Sequence, residues 1–178
     1  MAPKPIPLSE VYRLLEPGPV VLLTTCHKGK ANVMTMSWHT MLEFEPPLIG
    51  CVISDRNYSF AILKKTKECV INIPSVALAA KVVGCGNTSG RDTDKFQRFG
   101  LNRLPASSVQ APLLPDCYAS LECRVVDTAM VRKYCFFVLQ VTHAWRHFRP
   151  ARLKTIHHMG RGLFMVAGDT IKLRSRMK

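Results

Sequence analysis

The feature that most constrains the fold is a succession of short β-type runs separated by turn signals, with helical periods only at intervals. VVLLTT (Val20 to Thr25) is rich in apolar and β-branched residues, and HKGK centres a hairpin turn on Gly29. Residues 31–37 form the partner strand. Pro46-Pro47 sets an extended bend, LIGCVIS is a third strand, and CVINIP is a buried strand stopped by Pro74. A polar linker at Pro105 to Pro115 leads into two long β runs, YASLECRVVDTAMV and KYCFFVLQVTHAWRH, and GLFMVAGDTIKL closes the chain. Helical periods are few. PLSEVYRLLEPG offers Ser9 as an N-cap and ends at Pro17-Gly18, and a short helix begins near Asn57 to Ser59. SVALAAKVVG has Ser75 as N-cap and Gly84 just past its end, and Asp92 to Phe99 is helical. Helices do not alternate with strands often enough for a doubly wound parallel sheet. The pattern predicts a mainly β fold, a barrel with helical insertions, with residues 1–178 as a single domain.

Composition narrows the function classes. A chain of 178 residues buries a real core, and 47% hydrophobic against 21% charged residues argues against disorder. No apolar run approaches the roughly 18 residues of a membrane span. MAPKPIPLSE lacks the apolar stretch and cleavage site of a secretory signal. The seven cysteines are odd in number and form no CxxC pair, and Cys51, Cys69, Cys123 and Cys135 lie mostly among Val, Ile, Leu and Phe. That usage suits a reducing cytoplasm, the expected location, rather than a disulfide framework.

The formal charge of +13 invites a nucleic-acid reading. Its sources are dispersed: Lys28/Lys30, Lys64/Lys65/Lys67, Arg91/Lys95/Arg98, Arg146/Arg149/Arg152/Lys154 and the tail KLRSRMK. No RNP-type or zinc-finger motif accompanies them, and charge without a motif carries little specificity. Nucleic acid is therefore not the expected partner. A diffuse positive field equally attracts small phosphorylated ligands.

Three segments carry chemistry. In NVMTMSWHT, strand alternation puts Asn32, Met34, Met36 and Trp38 on one face and Val33, Thr35, Ser37 and His39 on the other. Taken alone, this also describes an ordinary strand with Met and Trp in the core. In SDRNYS, which begins at Ser54, Arg56 offers a rigid fork of donors suited to phosphate. Asn57 to Ser59 stands at a helix start, whose free N–H groups favour an anion; a surface Arg beside a plain N-cap has the same appearance. In NTSGRDTDKF, Ser89 and Gly90 permit close backbone approach while Arg91 and Lys95 add charge. Alone, that is also a Gly-rich loop entering a solvated helix. Two anion-competent helix starts after one polar strand are harder to dismiss.

In order, these segments resemble the flavin-reductase-like, FMN-binding split-barrel family, and more closely its flavoredoxin branch. The resemblance rests on Asn32, the small polar-and-apolar strand ending Ser37-Trp38, Pro46-Pro47 before a buried strand, Arg56 with Ser59 opening a helix, the Asn72-Ile73-Pro74 strand end, and Ser89-Gly90-Arg91 followed by Asp94-Lys95-Phe96. It covers nearly the whole chain. The family's helix-opening position is often Thr; Ser59 keeps the hydroxyl. The resemblance implies a homodimer of split barrels, each with one FMN near the subunit interface. The cofactor-binding residues it implies are Asn32, Met34, Thr35, Met36, Ser37, Trp38, Ser54, Arg56, Ser59, Ser89, Gly90, Arg91 and Lys95. No catalytic side chain is expected, because the chemistry belongs to the flavin. The implied activity is NAD(P)H:flavin oxidoreduction, with NADH or NADPH as donor; the alternative is a flavoredoxin-type electron carrier served by a protein partner. The chain has no GxGxxG, so no separate nucleotide site of the Rossmann kind is evident.

Other candidates are weaker. His157-His158 point apart in a strand and lack a third metal ligand, so no metal is expected. Cys26 beside His27 has no orienting third group. Asp92 and Asp94 fit a helix N-terminus on dipole grounds alone.

Overall fold

The computed structural model describes residues 2–148 and 153–174. Arg149 and Arg152 of the dispersed basic set, and the last four residues of the basic tail, lie outside them.

The chain opens with β1 (Lys4–Pro5), a 3-10 turn at Leu8–Glu10 and α1 (Tyr12–Leu15). The expected cap at Ser9 is not made: Ser9 lies inside the turn, and Pro7 precedes it without a side-chain bond. The hairpin of β2 (Val21–His27) and β3 (Lys30–Met36) is as expected, turning through Lys28 and Gly29 at φ 51° and 75°. Positive φ at both central residues matches the right-handed twist of the flanking strands.

After Met36 the structure departs from the sequence reading. A fourth strand, β4 (His39–Phe44), precedes β5 (Pro47–Val52), so the stretch before Pro46-Pro47 is itself β. Then come α2 (Tyr58–Thr66), β6 (Glu68–Ile73), a 3-10 turn at Val76–Leu78, α3 (Ala79–Gly86) and α4 (Lys95–Phe99). Gly84 does not end a helix. It lies inside α3, where a Cβ would meet the Phe99 ring at 2.5 Å, so its role is close packing. Ser75 precedes the 3-10 turn and makes no side-chain cap. The chain continues with β7 (Ala119–Asp127), α5 (Val131–Tyr134), β8 (Phe136–Arg146), β9 (Ile156–Gly160) and β10 (Leu163–Val166).

The main sheet is antiparallel throughout, ordered β3-β2-β6-β7-β8-β5-β4, with β1 added to β8; β9 and β10 form a separate hairpin. The two edge strands, β3 and β4, are consecutive in sequence and joined by only Ser37 and Trp38. Three Cα steps span at most about 11 Å. The edges of the sheet therefore meet across this link, and the sheet is a barrel split at the segment the sequence singled out.

Two apolar layers explain the strand composition. Val21, Leu23, Met34, Met36, Ile71 and Leu121 point into the barrel, while Val20, Leu22 and Val33 point outward beneath Val82, Cys85 and Phe96. β2 is buried on both faces, hence its unbroken apolar run. The Pro105 to Pro115 stretch is not a solvated linker. Val109, Ala111, Leu113 and Leu114 are buried, and Leu104 and Leu113 bond to each other through their backbones. Val109, Ala111 and Leu113 pack over Cys26 and Val70 while Leu114 joins the outer layer, and this burial fixes the loop to the sheet.

Candidate functional site

β3 is an edge strand, so alternate backbone groups lack a ladder partner and face whatever packs beside it. Beside it stand the start of α2 and the loop from the end of α3 to Gly90. Together they enclose a cavity of about 210 Å³ lined by Asn32, Met34, Thr35, Arg56, Asn57, Tyr58, Ser59, Cys85, Gly86, Asn87, Thr88, Ser89, Gly90 and Lys95. Eight positions singled out in the sequence meet here: Asn32, Met34, Thr35, Arg56, Ser59, Ser89, Gly90 and Lys95.

The pieces interlock. The Asn32 amide Nδ2 donates to Ser59 Oγ at 2.8 Å, tying the strand to the first turn of α2. Gly90 passes so close that a Cβ there would overlap Asn32 Oδ1. Thr35 Oγ1 donates to Val82 O at 2.5 Å, joining strand to α3. The N-cap of α2, Asn57, makes no side-chain cap bond, so the first N–H groups of this helix keep free donors toward the cavity.

Lys95 is 5% exposed, and its Nζ donates to Cys85 O at 2.8 Å. Burial pushes its pKa down, partly offset by the neighbouring Cys85. A buried ammonium with one carbonyl acceptor has further N–H bonds to give. Arg56 is exposed at the mouth, with no ion pair among the described residues. The hydroxyl of Thr25, across the strand pair from Asn32, is buried without a partner among the described residues. Free helix donors, a buried cation, an exposed Arg and a glycine-close backbone suit a phosphate monoester.

A second cavity of about 310 Å³ shares Thr35, Gly86 and Asn87 with the first. Val20, Val82, Val83 and Phe164 give it apolar walls, with Ser37 and His158 as polar groups. The two form one trough, polar at the α2 end and largely apolar under the β9–β10 hairpin. Phosphate, polyol and flat ring of a flavin mononucleotide require that order of surfaces.

Five predicted positions fall outside the first cavity. Met36 is buried in the barrel core, the filler role that Met adopts in cores. Ser37 lines the second cavity beside Thr35, as alternation predicts. Trp38 is 70% exposed, because it sits on the link between the two edge strands rather than in β3. Ser54 Oγ accepts from Arg56 N at 3.3 Å and shapes the turn. Arg91 is exposed, its guanidinium 6.0 Å from the centre of the Tyr58 ring.

The second helix start is not open to an anion, because Asp94 Oδ1 already accepts from Phe96 N and Gln97 N at 2.9 and 3.2 Å. A carboxylate cap occupies the donors that an anion would need. What this segment gives the cavity is Lys95 and the Ser89-Gly90 backbone. Sequence reasoning carried Asn57, Tyr58, Asn87 and Thr88 only as parts of SDRNYS and NTSGRDTDKF, not as site residues, and it missed Cys85 and Gly86 of the first cavity and His158 and Phe164 of the second. His158 was set aside for want of metal partners; here it stands beside Phe164, ring centres 5.2 Å apart.

Comparison with known proteins places the chain in a family. Residues 13–162 match the family model of the flavin reductase like domain. The uncharacterized protein YddH of Escherichia coli (strain K12) is 30% identical over 182 positions, covering 94% of this chain and 96% of its own. The FMN-binding domain of a flavin reductases-like enzyme from Shewanella baltica OS155 superposes with a TM-score of 0.90 at 24% identity, over 97% of this chain and 98% of that one. Flavoredoxin of Desulfovibrio vulgaris (Miyazaki F) gives a TM-score of 0.78 at 19% identity, over 88% and 90%. The shared fold is the split barrel. With the family model matched from residue 13 to 162 and YddH aligned over 94% of the sequence, the chain belongs to the flavin reductase like family.

Proposed function

We propose that the chain binds FMN in the trough beside β3 and acts as an NAD(P)H-dependent flavin oxidoreductase. The observation that carries the reading is the interlock of Asn32, Ser59, Gly90 and buried Lys95 around a polar cavity that opens into an apolar one. Names of similar structures, an FMN-binding domain and a flavoredoxin, point the same way. Arg56, the free N–H groups of α2 and Lys95 hold the phosphate. Asn32, Thr35 and Asn87 give the polyol a polar wall, and Val82 and Phe164 give the ring an apolar one. Bound there, FMN supplies the electron-accepting ring, and the chain supplies binding, orientation and exclusion of water.

The reading extends to the assembly. β4 is an edge strand, and Trp38, Leu42 and Phe44 expose large apolar side chains on and beside it. Such a patch on an open edge is a surface that a second copy would cover. All seven cysteines are free and six are buried, which suits a reducing compartment and the cytoplasm. No helix among the described residues is long and apolar enough to cross a membrane. Residues 1–178 act as one domain in this reading, since strands from both halves of the sequence share the main sheet.

The test is anaerobic mixing of the FMN-loaded protein with NADH and then with NADPH, following loss of flavin absorbance. Rapid bleaching by either nucleotide supports the reductase. Bleaching by neither, with FMN bound, supports instead the electron carrier of flavoredoxin type.

A further inference from the structure

Lys64 and Lys67 of the Lys64/Lys65/Lys67 cluster, which the flavin trough does not use, border a different cavity of about 360 Å³. Phe60 and Lys64 stand one helical turn apart on α2 and share a face. The Phe60 ring packs edge-on against the buried Phe137, ring centres 5.5 Å apart, so this part of the lining is anchored in the core. Val131 adds apolar surface from α5, and Arg132 and Lys67 bring the cations of the cavity to three.

The walls are held by the fold itself. Lys67 ends α2 at φ 61° and Cys135 ends α5 at φ 54°, left-handed conformations that side chains other than Gly seldom adopt. Both are pinned through their carbonyls: Val125 N donates to Lys67 O at 2.8 Å, and Ile53 N to Cys135 O at 3.0 Å. Lys64, Lys67 and Arg132 make no ion pair or side-chain hydrogen bond among the described residues. Against three cations the cavity sets one carboxylate, Asp55. An apolar lining ringed by excess positive charge attracts an anion and shelters an apolar body.

We propose that this cavity binds a small organic anion with an apolar body, of the aromatic carboxylate class, at a site separate from the flavin trough. Asp55 lines this cavity and Arg56 lines the other, so the two sites flank the turn that leads into α2. The carboxylate is received by Lys64, Lys67 and Arg132, and the ring lies on Phe60 and Val131.

Cys135 makes the proposal measurable, because it is the one cysteine of seven that is not buried. Its thiol is titrated with dithiobis(nitrobenzoate), an aromatic carboxylate disulfide, and in parallel with neutral dithiodipyridine. In each reaction the thiol loses its proton to water, a bond forms between its sulfur and one probe sulfur, and the other half of the probe leaves as thiolate. The expected result is a rate that saturates with the anionic probe, competitive slowing by salicylate, and a preference for the anionic over the neutral probe. Lys64→Ala with Arg132→Ala should cut that preference by about tenfold, in keeping with the local field of a charged cavity. Lys28→Ala with Lys30→Ala removes equal charge elsewhere and should leave it within twofold of wild type, again about the size of a diffuse screened field. Equal loss in the two double variants, a rate linear in anionic probe, or protection by inorganic phosphate as good as by salicylate would each overturn the proposal. None of these readings depends on bound flavin.

Discussion

Asn32 and Gly90 share one space: the Oδ1 of the asparagine stands where a Cβ on residue 90 would project. The same amide donates through Nδ2 to Ser59 Oγ. One side chain thus couples strand, helix start and loop, and the coupling exists only because residue 90 has no side chain.

Gly90→Ala should therefore displace the Asn32 amide from Ser59 while leaving both apolar layers intact. FMN affinity should fall by about 1–3 kcal/mol, the cost of leaving a buried polar group unpartnered. The check is a flavin titration beside a thermal melt. An unchanged affinity would mean that the loop yields without moving Asn32.

Arg56→Ala should weaken FMN binding by roughly 1.5–3 kcal/mol, the range for hydrogen bonds to a charged group. Arg56→Lys should recover only part, since the fork geometry is lost while the charge stays. Wild-type affinity should fall as salt rises, and less so in Arg56→Ala. Calorimetry at two salt concentrations reads both effects.

Lys95 predicts a pH dependence. Burial lowers its pKa, so without ligand the ammonium is disfavoured relative to that of an exposed lysine, and its effect on folded stability improves as pH rises from that lowered value toward the ordinary one. A bound phosphate reverses the preference, because it pairs with the charged form. FMN affinity should accordingly fall on the alkaline side, at lower pH than an ordinary lysine would dictate. Lys95→Arg, whose guanidinium stays charged, should move that loss to higher pH. Identical alkaline profiles in wild type and Lys95→Arg would remove Lys95 from phosphate binding.

How far the sequence could be read depended on the range of the interactions. The β2–β3 hairpin was legible because Lys28-Gly29 is a local turn signal, and α2 because its period changes at Asn57. β4 was not, since its residues are mostly exposed and its only sheet neighbour among the described residues is β5. The placement of Trp38 failed with it: strand alternation carries a side chain to the correct face only while the strand continues. Gly84 looked like a helix end because a glycine's packing partner, here Phe99, is invisible locally. Lys95 was found as a positive charge in a motif, but its burial against Cys85 arises from tertiary packing. Nothing local announced that β9 and β10 would bring His158 and Phe164 to the second cavity.

Glu122 offers a test of the fold apart from the site. Its buried carboxylate accepts from Ser107 N, Ser108 N, Ser108 Oγ and Trp145 Nε1. Burial alone would raise its pKa, yet these hydrogen bonds together hold it below the ordinary value. A depressed carboxylate adds stability above its unfolded pKa, about 4.3, which is lost as pH falls through the folded value. Glu122→Gln should lower stability at neutral pH by about 1–3 kcal/mol, having put an amide donor opposite N–H groups. It should also flatten the acid limb of a denaturation series. A parallel acid limb would contradict the assignment.

Trp38→Arg, at an exposed position, should leave the fold and melt nearly unchanged but weaken self-association. Light scattering should report about twice the 20.0 kDa chain mass for wild type and a shift toward one chain for the variant. A wild-type protein that scatters as a single chain with FMN bound would rule out the homodimer.

The central claim is that the trough beside β3 is an FMN site, and equilibrium titration of flavin by the purified, flavin-free protein tests it most directly. The account predicts saturable quenching of FMN at one flavin per chain, with riboflavin bound at least about tenfold more weakly for want of the phosphate that Arg56, Lys95 and the start of α2 receive. Binding of riboflavin as tight as that of FMN, or no saturable binding of either, would contradict it.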